Sequence, residues 1–123
     1  LPAALGCWAA TKGARKVVSV SGDGGLGQYL ADYTTAVKYG MNITHIVMNN
    51  DELGKISREQ VGVLNPVWQT SLVNPDFAKF AELCGSRGFK VDTVDQLRPV
   101  LTEALALEDG PSLVEVQVSA RDT

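Results

Sequence analysis

The sequence predicts a doubly wound α/β domain: a mainly parallel sheet with helices on both faces. Three observations carry this. Apolar, β-branched runs alternate with helical patterns along the whole chain, and such alternation implies parallel strands joined by crossover helices. The run Ile43–Thr44–His45–Ile46–Val47–Met48 is nearly continuous in apolar character, as expected of a central parallel strand covered on both faces. Finally, Val17–Val18–Ser19–Val20–Ser21 stops at the glycine cluster Gly22–Asp23–Gly24–Gly25–Leu26–Gly27, and a helical pattern follows at once. At 123 residues the chain holds one domain at most, and a domain of that size buries roughly 65% of its unfolded surface.

The elements follow in order. Pro2 suits a first helical turn, and Ala3 to Thr11 is small and apolar. Lys12–Gly13–Ala14–Arg15 breaks this helix and leads into a strand over Lys16–Ser21. Behind the glycine cluster, Leu30, Tyr33, Thr34, Val37 and Lys38 recur at helical spacing, predicting a helix from Gln28 to Tyr39 with Gly40 as its stop. A second strand covers Asn42–Met48. Leu53 to Asn74 reads as a long irregular connection, with Gly54, Gly62 and Pro66 scattered through it; connections of that length are usually functional. Asn74–Pro75–Asp76 reads as a helix start with an Asn cap, and Phe77, Phe80, Ala81 and Cys84 form the apolar face. Gly85 and Gly88 close that helix. Phe89–Lys90–Val91 is a short strand. Asp95 to Leu107 is amphipathic, with Leu97, Val100, Leu101, Ala104 and Leu105 turned inward, and Ser112 to Val118 is the last strand.

Composition narrows the function classes. A net charge of −3, with no Lys/Arg run longer than two, gives no support for nucleic-acid binding. No apolar run approaches the roughly 20 residues needed to span a bilayer, and there is no signal-peptide pattern. Cys7 and Cys84 are expected as buried free thiols in a reducing, cytoplasmic setting. The chain starts at Leu1 in mid-pattern, which reads as a piece of a longer polypeptide. His45 is the only histidine; with no second His or cysteine pair near it, it is read as structural, with no metal role.

The glycine cluster carries the chemistry. Backbone N–H groups at a strand-to-helix turn, with the helix dipole behind them, suit a phosphate. Glycines let the chain turn sharply and approach a ligand closely. Asp23 does not fit a bare phosphate cradle, because its carboxylate would repel the anion unless a cation lay between them. Asp23 is therefore read as a metal ligand, and the metal as the bridge to a diphosphate. A competing reading remains: Gly22, Gly24 and Gly27 also satisfy the dinucleotide fingerprint G-x-G-x-x-G, with Asp51 as the later acid. Asp23 within the turn counts against it, since dinucleotide sites hold their pyrophosphate on backbone amides. The second strand ends in Asn49–Asn50–Asp51–Glu52, at the carboxyl end where open α/β sheets place ligands. Asp23 and Asn50 stand 27 positions apart, after two successive strands. If these strands are neighbours, a carboxylate and a carboxamide meet in one crevice, an oxygen donor set suited to a hard cation such as Mg²⁺.

Gly22–Asp23–Gly24, followed after 24 residues by Asn49–Asn50, resembles the thiamine-diphosphate motif, a GDG and an NN pair at that separation. The flanks Leu1–Pro2–Ala3–Ala4–Leu5–Gly6, Asn74–Pro75–Asp76–Phe77–Ala78–Lys79–Phe80–Ala81 and Gly110–Pro111–Ser112–Leu113–Val114–Glu115–Val116 resemble the branch holding pyruvate oxidase, acetolactate synthase, benzoylformate decarboxylase and pyruvate decarboxylase. The resemblance covers almost the whole chain and implies the C-terminal diphosphate-binding domain of such enzymes. It implies that Asp23, the side chain of Asn50 and the main-chain carbonyl of Glu52 bind Mg²⁺ or Ca²⁺. Gly22, Gly24, Gly25 and Leu26 would lie against the diphosphate, and Gly54 would pass near the cofactor. Tyr39 through Gln60 looks most like the pyruvate oxidase group. Where some oxidases carry an aromatic, an aliphatic and an acid, this chain has Lys55, Ile56 and Glu59, which leaves the substrate open and offers Glu59 as an active-site acid. The implied activity is decarboxylation of a 2-oxo acid such as pyruvate, followed by oxidation or carbon–carbon ligation. An FAD requirement of the parent is left open. The implied partner is the pyrimidine-binding domain of another subunit, which would supply the activating glutamate, within a homodimer or homotetramer. The chain alone is expected to be inactive. The alternatives are an NAD(P)-binding domain of an oxidoreductase and a non-catalytic module that keeps the fold.

Overall fold

Four parallel strands, β1 (Val17–Gly22), β2 (Ile43–Asn49), β3 (Arg87–Val91) and β4 (Ser112–Gln117), form a sheet in the order β1-β2-β4-β3. The structure is a computed structural model and describes residues 1–119. Six α-helices are described with them: α1 (Pro2–Ala10), α2 (Asp23–Gly27), α3 (Tyr33–Lys38), α4 (Gly54–Gly62), α5 (Phe77–Leu83) and α6 (Val94–Ala106). Successive residues of a strand face opposite ways. Leu113 therefore packs with Val47, Leu26, Tyr33 and Phe77 under α2, α3 and α5, while Val114 packs with Val116, Val91 and Ala104 under α6. Ala4 of α1 joins Ala36, Met41 and Ile43 at the other end of the first face. Helices thus cover both faces of a parallel sheet, as the alternation of patterns predicts.

β1 and β2 are neighbours, with Gly22 opposite Met48 in register. That register brings the two glycine- and asparagine-bearing turns side by side at the carboxyl end of the sheet. His45 fastens the same two strands. Its ring is fully buried, with Nδ1 2.7 Å from Ser19 Oγ and Nε2 2.9 Å from Ser21 Oγ. Burial pushes its pKa down to about 4. The single histidine is structural.

Several elements differ from their expected form. The expected helix over Gln28–Tyr39 is broken into pieces. α2 starts inside the glycine cluster, and a 3-10 turn over Leu30–Asp32 leads into α3. Four glycines within Gly22–Gly27 do little to propagate a helix, so α2 ends after five residues. The connection expected to be irregular contains α4, whose first and last residues are Gly54 and Gly62. These glycines bound the helix instead of breaking it. Asn74 does not cap α5. Asp76 does, accepting from Lys79 N at 2.9 Å. Gly88 lies within β3, so the strand starts at Arg87; Gly85, at φ +84°, closes α5. α6 starts one residue earlier than expected, behind a capping box of Thr93 and Gln96. Leu105 is partly exposed, not inward. Both cysteines are free, but Cys7 is exposed on α1 where burial was expected.

Candidate metal centre

The two turns meet in a cavity of about 180 Å³ that is lined in part by Gly22, Asp23, Asn50, Glu52 and Gly54. Asp23 is the first residue of α2, directly after β1, and is almost fully buried. Asn50 follows the last residue of β2. Its Oδ1 accepts from Glu52 N at 3.1 Å, folding the chain so that Glu52 returns to the cavity. Asn49 makes the parallel contact, its Oδ1 accepting from Asp51 N at 3.1 Å. Asp51 between them takes a left-handed φ of 55°, a conformation that Asp tolerates better than most residues.

The glycines work differently from the sequence-based expectation of a sharp turn. None of Gly22, Gly24, Gly25 and Gly27 is among the residues with positive φ. A Cβ at Gly24 would stand 2.5 Å from Leu53 Cδ2, the tip of a side chain that would have to turn aside. A Cβ at Gly22 would meet no protein atom within 4 Å, and one at Gly25 would meet only Ser21 Cβ at 3.9 Å. Neither backbone strain nor packing within the chain requires glycine at these two positions. They leave open the space a diphosphate would need, above the first N–H groups of α2, which have no intrahelical acceptor. The candidate donors beside them are all oxygen: the Asp23 carboxylate, Asn50 Oδ1 and the Glu52 carbonyl. Mg²⁺ is commonly held by one or two carboxylates and completes its shell with phosphate and water, so these residues fit such a group. The Leu26 side chain is fully buried in the core, so only its main chain is available to a ligand.

The surrounding residues divide by location. Lys55 and Arg58 of α4 also line the cavity and bring positive charge to it. Glu59, expected as an active-site acid, lies on the exposed side of α4, 3.8 Å from Lys55 Nζ. The Glu52 side chain turns away to accept from Ser57 Oγ, which lies 2.8 Å from Thr70 Oγ1. The Glu52 carboxylate is thus engaged in bracing the loop. A clasp closes over this turn: Leu53 N donates to Thr70 O at 2.7 Å, and Leu72 N donates to Asp51 O at 2.8 Å.

Two polar residues escape sequence reasoning. Glu115 is fully buried in β4. Its Oε2 accepts from Phe77 N at 3.0 Å and Ala78 N at 3.2 Å, serving the free amides at the start of α5. Its Oε1 accepts from Asn49 Nδ2 at 2.9 Å and lies 3.8 Å from Lys90 Nζ. Burial pulls the Lys90 ammonium down, but Glu115 and Asp76 outweigh it and leave Lys90 above the ordinary lysine value. The only trace in the sequence is a glutamate inside the apolar run Leu113–Val116. The second is Asn74, whose amide reaches Asp23, Asn49 and Asp51 at 2.7, 3.1 and 3.0 Å. Among the described residues no helix is long and apolar enough to cross a membrane.

A family model described as the thiamine pyrophosphate enzyme, C-terminal TPP binding domain, matches residues 1–116. YdaP, a Bacillus subtilis protein whose name describes it as thiamine pyrophosphate-containing, is 42% identical over 85% of this chain and 18% of its own length. The catabolic acetolactate synthase of Raoultella terrigena is 35% identical over 99% of this chain and 22% of that enzyme. The acetolactate synthase of Bacillus subtilis is 36% identical over 99% of this chain and 21% of that enzyme. The chain spans 18–22% of the length of these relatives.

Proposed function

This chain belongs to the thiamine pyrophosphate enzymes, as their C-terminal TPP-binding domain, and on that premise we propose that it holds the diphosphate of the cofactor through Mg²⁺ as one part of a longer, acetolactate synthase-like enzyme. The observation that carries this reading is the convergence of Asp23, Asn50 and Glu52 on one cavity beside Gly22 and Gly54. Asp23, Asn50 Oδ1 and the Glu52 carbonyl hold the cation, which Ca²⁺ can replace. Gly22, Gly24, Gly25 and the main chain at Leu26 lie against the diphosphate, and Gly54 passes beside the cofactor. When bound, thiamine diphosphate supplies the nucleophile and electron sink for decarboxylating a 2-oxo acid. The chain's own residues bind and orient one end of it. Lys55 and Arg58 bring positive charge to the rim of that cavity, which suits an anionic substrate such as a 2-oxo acid.

The names of two of the relatives favour ligation as the fate of the decarboxylated product over oxidation. An FAD requirement is decided by the absorption spectrum of the purified parent. Catalysis needs a second domain, from another subunit of a dimer or tetramer, to hold the aminopyrimidine. The chain alone is therefore inactive, and its setting is the cytoplasm. The NAD(P) reading of the glycine cluster is not favoured, because the matching family binds a different cofactor.

Thermal unfolding tests the reading. A ligand at 100 times its Kd stabilises by about 2.7 kcal/mol, which shifts a domain of this size by several degrees. Thiamine diphosphate is expected to stabilise the protein only when Mg²⁺ is present, and Asp23→Ala is expected to abolish the shift. Metal-independent stabilisation by NAD would sink the proposal.

A further inference from the structure

Asn74 precedes α5 and would ordinarily cap it, yet that task falls to Asp76. Its side chain is used elsewhere. Asn74 Nδ2 lies 2.7 Å from Asp23 Oδ2, 3.1 Å from Asn49 Oδ1 and 3.0 Å from Asp51 Oδ1. One amide nitrogen with two N–H donors thus stands among three oxygens drawn from both turns of the cavity. Asp23 belongs to the turn after β1, while Asn49 and Asp51 flank Asn50 in the turn after β2. Two of the three acceptors, Asp23 and Asp51, are carboxylates, whose charge strengthens the bond, and the shorter of these two contacts goes to Asp23.

The segment carrying Asn74 is itself anchored on both sides. Before it, Leu72 N donates to Asp51 O. After it, Phe77 N and Ala78 N donate to Glu115, which also accepts from Asn49. Asn74 is therefore held against the site and does not swing on a free loop.

We propose that Asn74 is a positioning residue for the metal centre: by binding Asp23 Oδ2 while bridging Asn49 and Asp51, it fixes the spacing and orientation of the two ligand-bearing turns. This rests on the proposed placement of the metal on Asp23, Asn50 and the Glu52 carbonyl. Bound this way, Asp23 keeps its other oxygen, Oδ1, for the cation. The consequence is selective. Mg²⁺ demands nearly ideal octahedral geometry at roughly 2.0–2.1 Å, whereas Ca²⁺ accepts looser shells at roughly 2.3–2.6 Å. Loss of the brace therefore weakens Mg²⁺ more than Ca²⁺.

The experiment measures, on the complete polypeptide that carries this chain, the Mg²⁺ and Ca²⁺ concentrations that half-saturate thiamine diphosphate binding, by calorimetry. Asn74→Ala removes the amide, and Asn74→Leu removes it while keeping the volume. Outer-shell partners of metal ligands typically contribute about 10–100-fold in affinity. Both variants are expected to raise the Mg²⁺ requirement at least about tenfold and the Ca²⁺ requirement less than about threefold. A Mg²⁺ requirement within about twofold of wild type overturns the inference, as does an equal rise for both cations, which is what a purely structural role would give. If neither variant folds, Asn74 is structural and the inference is likewise overturned. Asp23→Ala separates the two levels. If it still binds the cofactor in a Mg²⁺-dependent way, the metal placement itself fails and Asn74's role with it. If Asp23→Ala loses that binding while the Asn74 variants behave as wild type, only the role of Asn74 fails.

Discussion

His45 makes a pH dependence readable in a single side chain. Its folded pKa of about 4 lies below the ordinary value of 6.5. Between those values the unfolded chain holds a proton that the folded chain lacks, so stability is fully present above pH 6.5 and falls as pH drops toward 4. The slope approaches about 1.36 kcal/mol per pH unit, so urea unfolding at about pH 7.5 and about pH 5 should differ by about 2 kcal/mol. His45→Gln removes the only histidine, and its stability should be nearly flat across that window. The glycines offer a second contrast. Gly25→Ala adds a methyl that meets only Ser21 Cβ at 3.9 Å, within a helix, so stability should hold or rise by up to about 1 kcal/mol. Thiamine diphosphate affinity, read by calorimetry, should fall at least about tenfold if that methyl enters the space of the diphosphate. Gly24→Ala instead makes the tip of Leu53 turn aside, which offsets the helical gain, so its stability should stay within about 1 kcal/mol of wild type before any ligand is added. That Asp23 and Asn50 meet at one cavity was legible in the sequence because both stand right after strands that pair as neighbours. Asn74 and Glu115 were not: each looks like an ordinary cap or strand residue until the fold brings its partners from elsewhere in the chain.

At the scale of elements, apolar runs marked all four strands within a residue or two. Their parallel pairing followed from the alternation with helices. Helices were harder. The helix from Gly54 to Gly62 is bounded by the residues usually read as breakers, and the glycine cluster is itself helical with no positive φ. Local propensity misleads there because tertiary packing decides. Leu26 and Tyr33, both almost fully buried, hold the broken helical segments against the sheet. Gly88 shows how closely elements can approach. A Cβ there would stand 1.8 Å from the carbonyl oxygen of Ala78, so the α5 backbone lies directly on β3. Gly88→Ala cannot be relieved by a side-chain rotation and should cost about 3 kcal/mol, measured by denaturant unfolding. Because α5 also carries the amides that Glu115 serves, this loss is expected to weaken Mg²⁺-dependent cofactor binding as well.

Over the whole molecule, the sheet is unevenly covered. α6 packs on β3 and β4, while Val18 and Val20 on the same face of edge strand β1 are 50% and 63% exposed. Parallel sheets normally bury both faces, and an apolar edge invites pairing with another chain. The chain on its own should therefore self-associate, and Val20→Lys should reduce that association in sedimentation while leaving the unfolding temperature within about 2 °C. Composition offered no view of this, because the valines of β1 read like those of any core strand. The clasp at Leu53–Thr70 and Asp51–Leu72 has a wider consequence. It ties the two ends of the segment between them together, so residues 54–69 leave the fold and return at one point. Lengthening a loop whose ends are already joined costs little, about 0.6 kcal/mol per doubling. Past Gly54, Lys55, Ser57 and Arg58, which meet the cavity or the Glu52 carboxylate, the rest of that segment is expected to tolerate changes of length and sequence. Its length and sequence can change what arrives at the cavity, while the two turns proposed to hold the cation stay as they are.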